Sequence, residues 1–365
     1  LQREEYSDVW HWPEWAAMHG WDGRDVGIDL VAKLRNEDGY TAVQAKFYEA
    51  ETCIRKEHID SFISASGKEP FRRRLVIDTT ETEWSANAED MIRGQTIPVS
   101  RIGLNQLRES RIDWAVFRTR DALVLKESKS LRPHQVEALE AVAGAFHEQD
   151  RGKLIMACGT GKTFTALRIA EHQAGAGGRV LFRLPSLALM SQAIQEWVSD
   201  AVVPMRAFSV CSDVQVGKRR KSTDDAAEIE VHDLALPATT NPTRLADKAG
   251  AAAQDRMTVV FSTYQSIDVL TRAHAAGLPE FDLIICDEAH RTTGATLAGE
   301  DESAFVRVHN DKYVRGRKRL YMTATPRIFG DVVRSKADEV GAEIASMDDP
   351  ELFGDTIFHR GFGWA

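Results

Sequence analysis

Residues Met156 to Thr163 (MACGTGKT) bring two glycines, a lysine and a hydroxyl to the point where the apolar run KLIMA gives way to a helical pattern. In that setting Gly159 and Gly161 let the backbone wrap a phosphate. The amides of Thr160 and its neighbours, with the helix N-terminus, supply donors and positive dipole. Lys162 would reach the β- and γ-phosphates of ATP, and the Thr163 hydroxyl would ligate Mg²⁺. The strict spacing asks for Gly where Met156 stands, and a ligand-free Gly-rich turn is the bland alternative. A second cluster, Asp287-Glu288-Ala289-His290, follows the apolar run DLIIC. A strand-end carboxylate belongs at the carboxyl edge of a sheet, where Asp287 would hold Mg²⁺. Glu288 would orient and deprotonate an attacking water, and His290 is grouped with the nucleotide-binding residues. Alone, the cluster reads as an acidic helix start; together the two segments read as an ATP–Mg²⁺ site.

A third constellation lies near the start of the chain. GIDLVAKL and YTAVQAKFY are strand-like runs joined by the polar turn RNEDG. Residues two apart in a strand face the same side, so Gln44 and Lys46 point together, and the turn can bring Asp29 opposite them. A carboxylate, an amide oxygen and an ammonium converging in this way suit metal-assisted phosphodiester hydrolysis. Asp29 and Gln44 would bind Mg²⁺, and Lys46 would position the water and steady the developing anion. The alternative is a half-buried hairpin with a surface Gln and Lys. Glu14 could complete the site, although WPEW is an awkward helix; Asp25 reads more simply as a turn residue.

These residues need scaffolds, and the pattern supplies two. Residues 1–115 read as a small α/β domain and 116–130 as a linker. From Leu131 to about residue 345, near-continuous apolar strands alternate with helices, the mark of a parallel sheet covered on both faces. Within it, residues 212–254 break the pattern with KRRK, PATTNP and an Ala-rich run, and read as a partly ordered surface insertion. Residues 346–365 read as the start of a further connection. The chain has 365 residues, 43% of them hydrophobic, and no apolar run long enough for a membrane helix. The four cysteines are far apart without metal spacing, as reduced thiols of a cytoplasmic protein would be. The net charge of −9 does not exclude a nucleic-acid partner, because affinity comes from local grooves; neither half is basic overall, so charge does not locate such a groove. Trp10, Trp12, Trp15 and Trp21 are read as a cap on the first core rather than a base-stacking platform. The runs Lys218–Lys221, Arg315–Lys318 and Arg72–Arg74 are read as solvated charge.

From Leu131 onward the chain resembles a superfamily 2 helicase, motif after motif. LRPHQ resembles the upstream adenine-recognition motif, which implies that Gln135 reads the base. LPSLALMSQ and STYQS resemble motifs that grip a nucleic-acid backbone. TAT (Thr323 to Thr325) resembles the motif that couples hydrolysis to strand movement, which implies coupling roles for Thr323 and Thr325. GIDL with VQAK resembles the Mrr-like branch of the PD-(D/E)xK nucleases. The order of the two, with MACGTGKTFTALRIAE, the CSD and PATTNP segments and DEAHRTTG, resembles the type ISP restriction-modification enzymes. This implies a small PD-(D/E)xK nuclease domain followed by a RecA-like P-loop lobe, within an ATP-dependent double-stranded DNA translocase that cleaves DNA. It also implies a second RecA lobe, a methyltransferase and a target-recognition domain in the same polypeptide, none of which is visible here. The chain is therefore expected to be an N-terminal fragment, and alone to hydrolyse ATP poorly. Two other readings stay open: the motor subunit of a type I restriction complex or another defence or repair helicase–nuclease, and a non-cleaving DNA-binding protein switched by ATP.

Overall fold

The computed structural model describes residues 5–35, 38–110, 112–120, 124, 126, 129–211, 238–297, 303–339 and 342–361. They fall into two compact units that divide ahead of Lys129. The first unit runs β1 (Tyr6–His11), α1 (Trp12–Met18), β2 (Leu30–Leu34), β3 (Tyr40–Lys46), α2 (Asp60–Ala65), β4 (Phe71–Asp78), α3 (Ala86–Ile92), β5 (Val99–Ile102), α4 (Leu104–Glu109) and α5 (Trp114–Arg120). Its five strands lie in sequence order. β2 and β3 pair antiparallel, and the helical crossovers α2 and α3 make β4 and β5 parallel additions.

The pleat sends alternate β3 side chains to opposite cores. Ala42 faces a cluster with Trp12, Trp15, Phe62 and Phe71; Val43 faces Leu75 and Ile102. All four N-terminal tryptophans belong to or pack against the first cluster, which is the structural reading of them. WPEW is helical after all, because Pro13 sits in the first turn, where its missing N–H loses no hydrogen bond. α5 covers the start of the expected linker: Trp114 Nε1 donates to the Leu107 carbonyl, a tether the weak periodicity does not betray.

The second unit runs α6 (Pro133–Ala145), β6 (Arg151–Met156), α7 (Lys162–Gln173), β7 (Arg179–Leu184), α8 (Leu187–Asp200), β8 (Met205–Val210), β9 (Ala238–Thr239), α9 (Pro242–Gly250), β10 (Met257–Thr263), α10 (Ile267–Ala275), β11 (Phe281–Cys286), β12 (Gly294–Leu297), β13 (Gly316–Thr323), α11 (Asp331–Glu339), β14 (Ala342–Ala345), α12 (Pro350–Phe353) and β15 (Asp355–Arg360). Eight strands form one sheet in the order β15-β6-β13-β11-β7-β10-β8-β9, every neighbouring pair parallel. All carboxyl ends therefore lie along one edge, and β13 stands between β6 and β11.

Two boundaries differ from expectation. Residues 212–237 of the expected insertion lie outside the described residues, but β9 and α9 belong to the lobe. Leu245, Ala246 and Ala249 are buried in its core, and the Asn241 side chain caps α9 by accepting from Arg244 N at 3.0 Å. The ordered part of the expected partly ordered insertion is thus a short amphipathic helix packed on the lobe. At the other end, residues 355–360, within the expected connection, form β15, which pairs with β6 as the sheet's edge strand. The Asp349 side chain caps α12 and so starts the turn that brings β15 into place.

Candidate functional site

The sheet's carboxyl edge gathers the motifs of the second unit. β6 ends at Met156, and the chain turns through Gly159 (φ 77°) and Gly161 (φ 81°) into α7, whose first residues are Lys162 and Thr163. Any side chain at Gly161 would be strained, and its Cβ would come within 2.5 Å of Gln135 Nε2. Gln135 is buried and engaged within the fold. Its Nε2 donates to the carbonyls of Thr160 (3.2 Å) and Gly161 (3.3 Å), while its Oε1 accepts from Arg132 N. His134 Nε2 lies 3.0 Å from the same Thr160 oxygen. Here Gln135 braces the loop, and its Oε1 keeps a second lone pair as an acceptor.

Lys162 Nζ lies 3.5 Å from the Met156 carbonyl and 4.0 Å from Glu288 Oε1. Asp287 follows β11 and is 7% exposed; burial, then the neighbouring Glu288 charge, push its carboxyl up to about 6. Its Oδ1 is buried without a hydrogen-bond partner. An orphaned, desolvated carboxylate oxygen beside a phosphate loop fits a cation. Glu288 has φ 48° and ψ 47°, the only positive φ outside glycine among the described residues. Such a conformation costs on the order of 1 kcal/mol and is held by its surroundings. His290 Nδ1 lies 3.4 Å from Glu288 Oε2 and 3.0 Å from Thr323 Oγ1, which accepts from Thr325 N at 3.1 Å. Burial lowers the His290 pKa, favouring the neutral imidazole. Because β13 lies between β6 and β11, TAT meets both.

In STYQS, Ser262, Thr263, Tyr264 and Ser266 are wholly buried with their hydroxyls bonded internally, and Gln265 is half-buried. Tyr264 of that motif and Arg183, which the sequence did not single out, sit behind the DEAH segment. An arginine inside the apolar run RVLFRL was the available signal.

In the first unit Asp29 N donates to the Val43 carbonyl, and Asp29 Oδ2 accepts from Ala45 N at 2.6 Å. With Leu30 paired to Val43, this sets Asp29 across from Gln44. Gln44 is 1% exposed, and its Oε1 has no hydrogen-bond partner, the donor a hard cation would take up. Gly27 (φ 81°) makes room: a Cβ there would lie 2.6 Å from Ser61 Oγ and 3.1 Å from Gln44 Nε2. Lys46 ends β3, half-buried, its Nζ 6.0 Å from the Tyr48 ring centre.

Glu14 is exposed, its Oε2 taking His11 N at 3.4 Å, and Asp25 Oδ1 takes Gly27 N at 2.9 Å as a turn residue does. Sequence reasoning missed Asp78, a buried carboxylate in register with Lys46 on β4 and bonded to Thr80. It ends an apolar strand just as Asp287 does. Among the described residues no group of three or more His, Cys, Asp or Glu is arranged to hold a metal. Mg²⁺ commonly takes one or two carboxylates with water and phosphate oxygens, which each site can offer.

The charged runs are structural where they are described. Arg317 pairs with Glu280 and Asp282, Arg315 donates to the carbonyls of His274 and Leu278, and Arg74 is buried among hydrogen bonds. Lys218–Lys221 lie outside the described residues. The four cysteines are free thiols.

One unit is a small mixed sheet carrying Asp29, Gln44 and Lys46 and the other a parallel P-loop sheet carrying DEAH and TAT, the scaffolds of a nuclease joined in one chain to a helicase-type ATPase. The chain belongs to the family described as type III restriction enzyme, res subunit, whose model matches residues 128–328, and residues 1–123 match a restriction endonuclease model. Its fold is similar to part of a solved type ISP restriction-modification enzyme. The solved ATP-dependent type ISP enzyme LlaBIII bound to DNA is 36% identical, with TM-score 0.78, over 100% of this chain and 23% of its own. A nuclease-deletion mutant of the type ISP enzyme LlaGI, in complex with a DNA substrate mimic, is 37% identical over 64% of this chain and 20% of its own, with TM-score 0.48. A probable helicase of African swine fever virus is 29% identical over 60% of this chain and 24% of its own length. The chain thus spans about a quarter or less of these relatives.

Proposed function

We propose that the chain supplies the nuclease and the first motor lobe of a cytoplasmic restriction enzyme that moves along double-stranded DNA on ATP hydrolysis and cuts it with Mg²⁺. The observation that carries this reading is the side-chain path Lys162–Glu288–His290–Thr323, laid across neighbouring strand ends of one sheet. Lys162 and the loop amides would hold the nucleotide phosphates, Glu288 would take the proton of the attacking water, and His290 would pass the change to Thr323 and Thr325. Thr163 and Asp287 would hold the nucleotide's Mg²⁺; Asp29 and Gln44 would hold that of the nuclease, with Lys46 placing the water. Bound Mg²⁺ would supply charge neutralisation at the phosphates in both places. A second lobe, a methyltransferase and a target-recognition domain would complete the polypeptide.

The test uses the full-length enzyme with duplex DNA. Lys162→Ala should lower phosphate release on the order of 10²–10³-fold, as loss of preorganised charge stabilisation does. Asp29→Ala should stop cleavage and leave ATP turnover near wild type, since distant sites act independently. Undiminished ATP turnover in the first variant would sink the motor; undiminished cleavage in the second would sink the nuclease site.

A further inference from the structure

Behind the DEAH segment lies a polar network that the mechanism above does not use. Tyr264 is fully buried just after β10, stacked on Phe305 at 5.1 Å, and its hydroxyl donates to the Asp287 carbonyl at 2.9 Å. Asp287 N in turn donates to the Arg183 carbonyl at 3.0 Å, so both backbone polar groups of Asp287 are tied. The Arg183 side chain is also fully buried. Its Nη1 donates to Ser262 Oγ (3.1 Å) and its Nη2 to the Tyr264 carbonyl (2.7 Å), with the guanidinium 5.3 Å from the Tyr264 ring centre.

We propose that Tyr264 and Arg183 are positioning residues for ATP hydrolysis: they fix the Asp287–Glu288 peptide so that Glu288 keeps its left-handed conformation facing Lys162. The inference rests on the reading of Glu288 as the group that acts on water. The physical argument has two parts. First, the Asp287 carbonyl belongs to the peptide plane whose nitrogen is that of Glu288. Turning that plane swings the Glu288 side chain, and a shift of about 1 Å in a reacting group can cost about 10²-fold in rate. A residue at φ 48° stays there only if neighbours over-determine it, and the Tyr264 hydroxyl is the side-chain bond on that carbonyl. Second, a buried guanidinium is costly, and among the described residues no carboxylate forms an ion pair with it; burial brings its pKa down to about 10. Apolar packing would fill the same space with less desolvation. What an apolar side chain would not supply is a rigid donor on the Tyr264 carbonyl.

The experiment compares Tyr264→Phe and Arg183→Met with wild type in the full-length enzyme, each also in a Glu288→Gln background. DNA-stimulated phosphate release gives kcat and KM for ATP, and single-turnover release reads the residual activity. Tyr264→Phe should lower kcat about tenfold with KM within about twofold, and should add nothing once Glu288 is Gln, because it acts through that residue. Arg183→Met should show the same split with a thermal midpoint at or above wild type, and serves alone should Tyr264→Phe fail to fold. Unchanged kcat, or a further loss in the Glu288→Gln background, would overturn the proposal while leaving the motor assignment standing. A wild-type enzyme that released no phosphate would overturn both.

Discussion

The two candidate sites are built on opposite plans. In the helicase-type lobe the side chains approach one another: Lys162 to Glu288, Glu288 to His290, His290 to Thr323, all within 4.0 Å. In the nuclease unit Asp29 and Gln44 share a face through strand register, with Lys46 two residues further along it, but the hydrogen bond that orients Asp29 comes from the backbone amide of Ala45, and the Gln44 oxygen has none. The first plan suits a site whose chemistry must be felt elsewhere, because a chain of contacts has alternative arrangements that a nucleotide can bias. The second suits a site that has only to cut. A rigid hairpin presents donors, which metal and phosphate would complete.

This contrast is open to attack, first where the effect is greatest. Glu288→Gln should retain ATP and Mg²⁺ binding while hydrolysis falls on the order of 10³-fold, the scale of a lost general base. Loss of nucleotide binding in the folded variant would show that the contact network serves binding instead. Next, Lys46→Ala should reduce cleavage on the order of 10²-fold with ATP turnover unchanged, since Lys46 has no place in the motor's path. A parallel fall in ATP turnover would mean that the two plans are not separate.

A smaller effect concerns pH. Asp287 in the free lobe is raised to about 6, above its ordinary value, so the unliganded fold favours the protonated form. That contribution to stability is fully present below the unfolded pKa and is lost as pH rises through about 6. Mg²⁺ needs the carboxylate, so Mg·ATP affinity should weaken up to about tenfold for each pH unit below 6, and titrations of nucleotide binding at fixed Mg²⁺ would show it. A flat profile from pH 7 to 5 would remove Asp287 from the metal set. Least of all, Asp25→Ala should change cleavage by less than about twofold, because its carboxylate only closes a turn, and turn or surface changes usually stay within about 0.5 kcal/mol. A large loss in a cleavage assay would move Asp25 into the site.

What the sequence determined by itself was the identity and local setting of the motifs. A phosphate loop needs Gly at positive φ between strand and helix, and a strand-end carboxylate needs an apolar run before it; both are properties of neighbours along the chain. The hairpin that aligns Asp29 with Gln44 was legible for the same reason, since pleat and turn are local. Tertiary structure alone decided which strand lies beside which. β13 comes late in the chain yet stands between β6 and β11, and only that order lets Thr323 meet His290. It also buried the hydroxyls of STYQS, placed Tyr264 under Asp287, set Asp78 beside Lys46 and brought β15 to the edge of the sheet. These are contacts between residues tens to hundreds of positions apart. They are set by how parallel strands and crossovers bury their apolar faces, and no spacing within a motif encodes them.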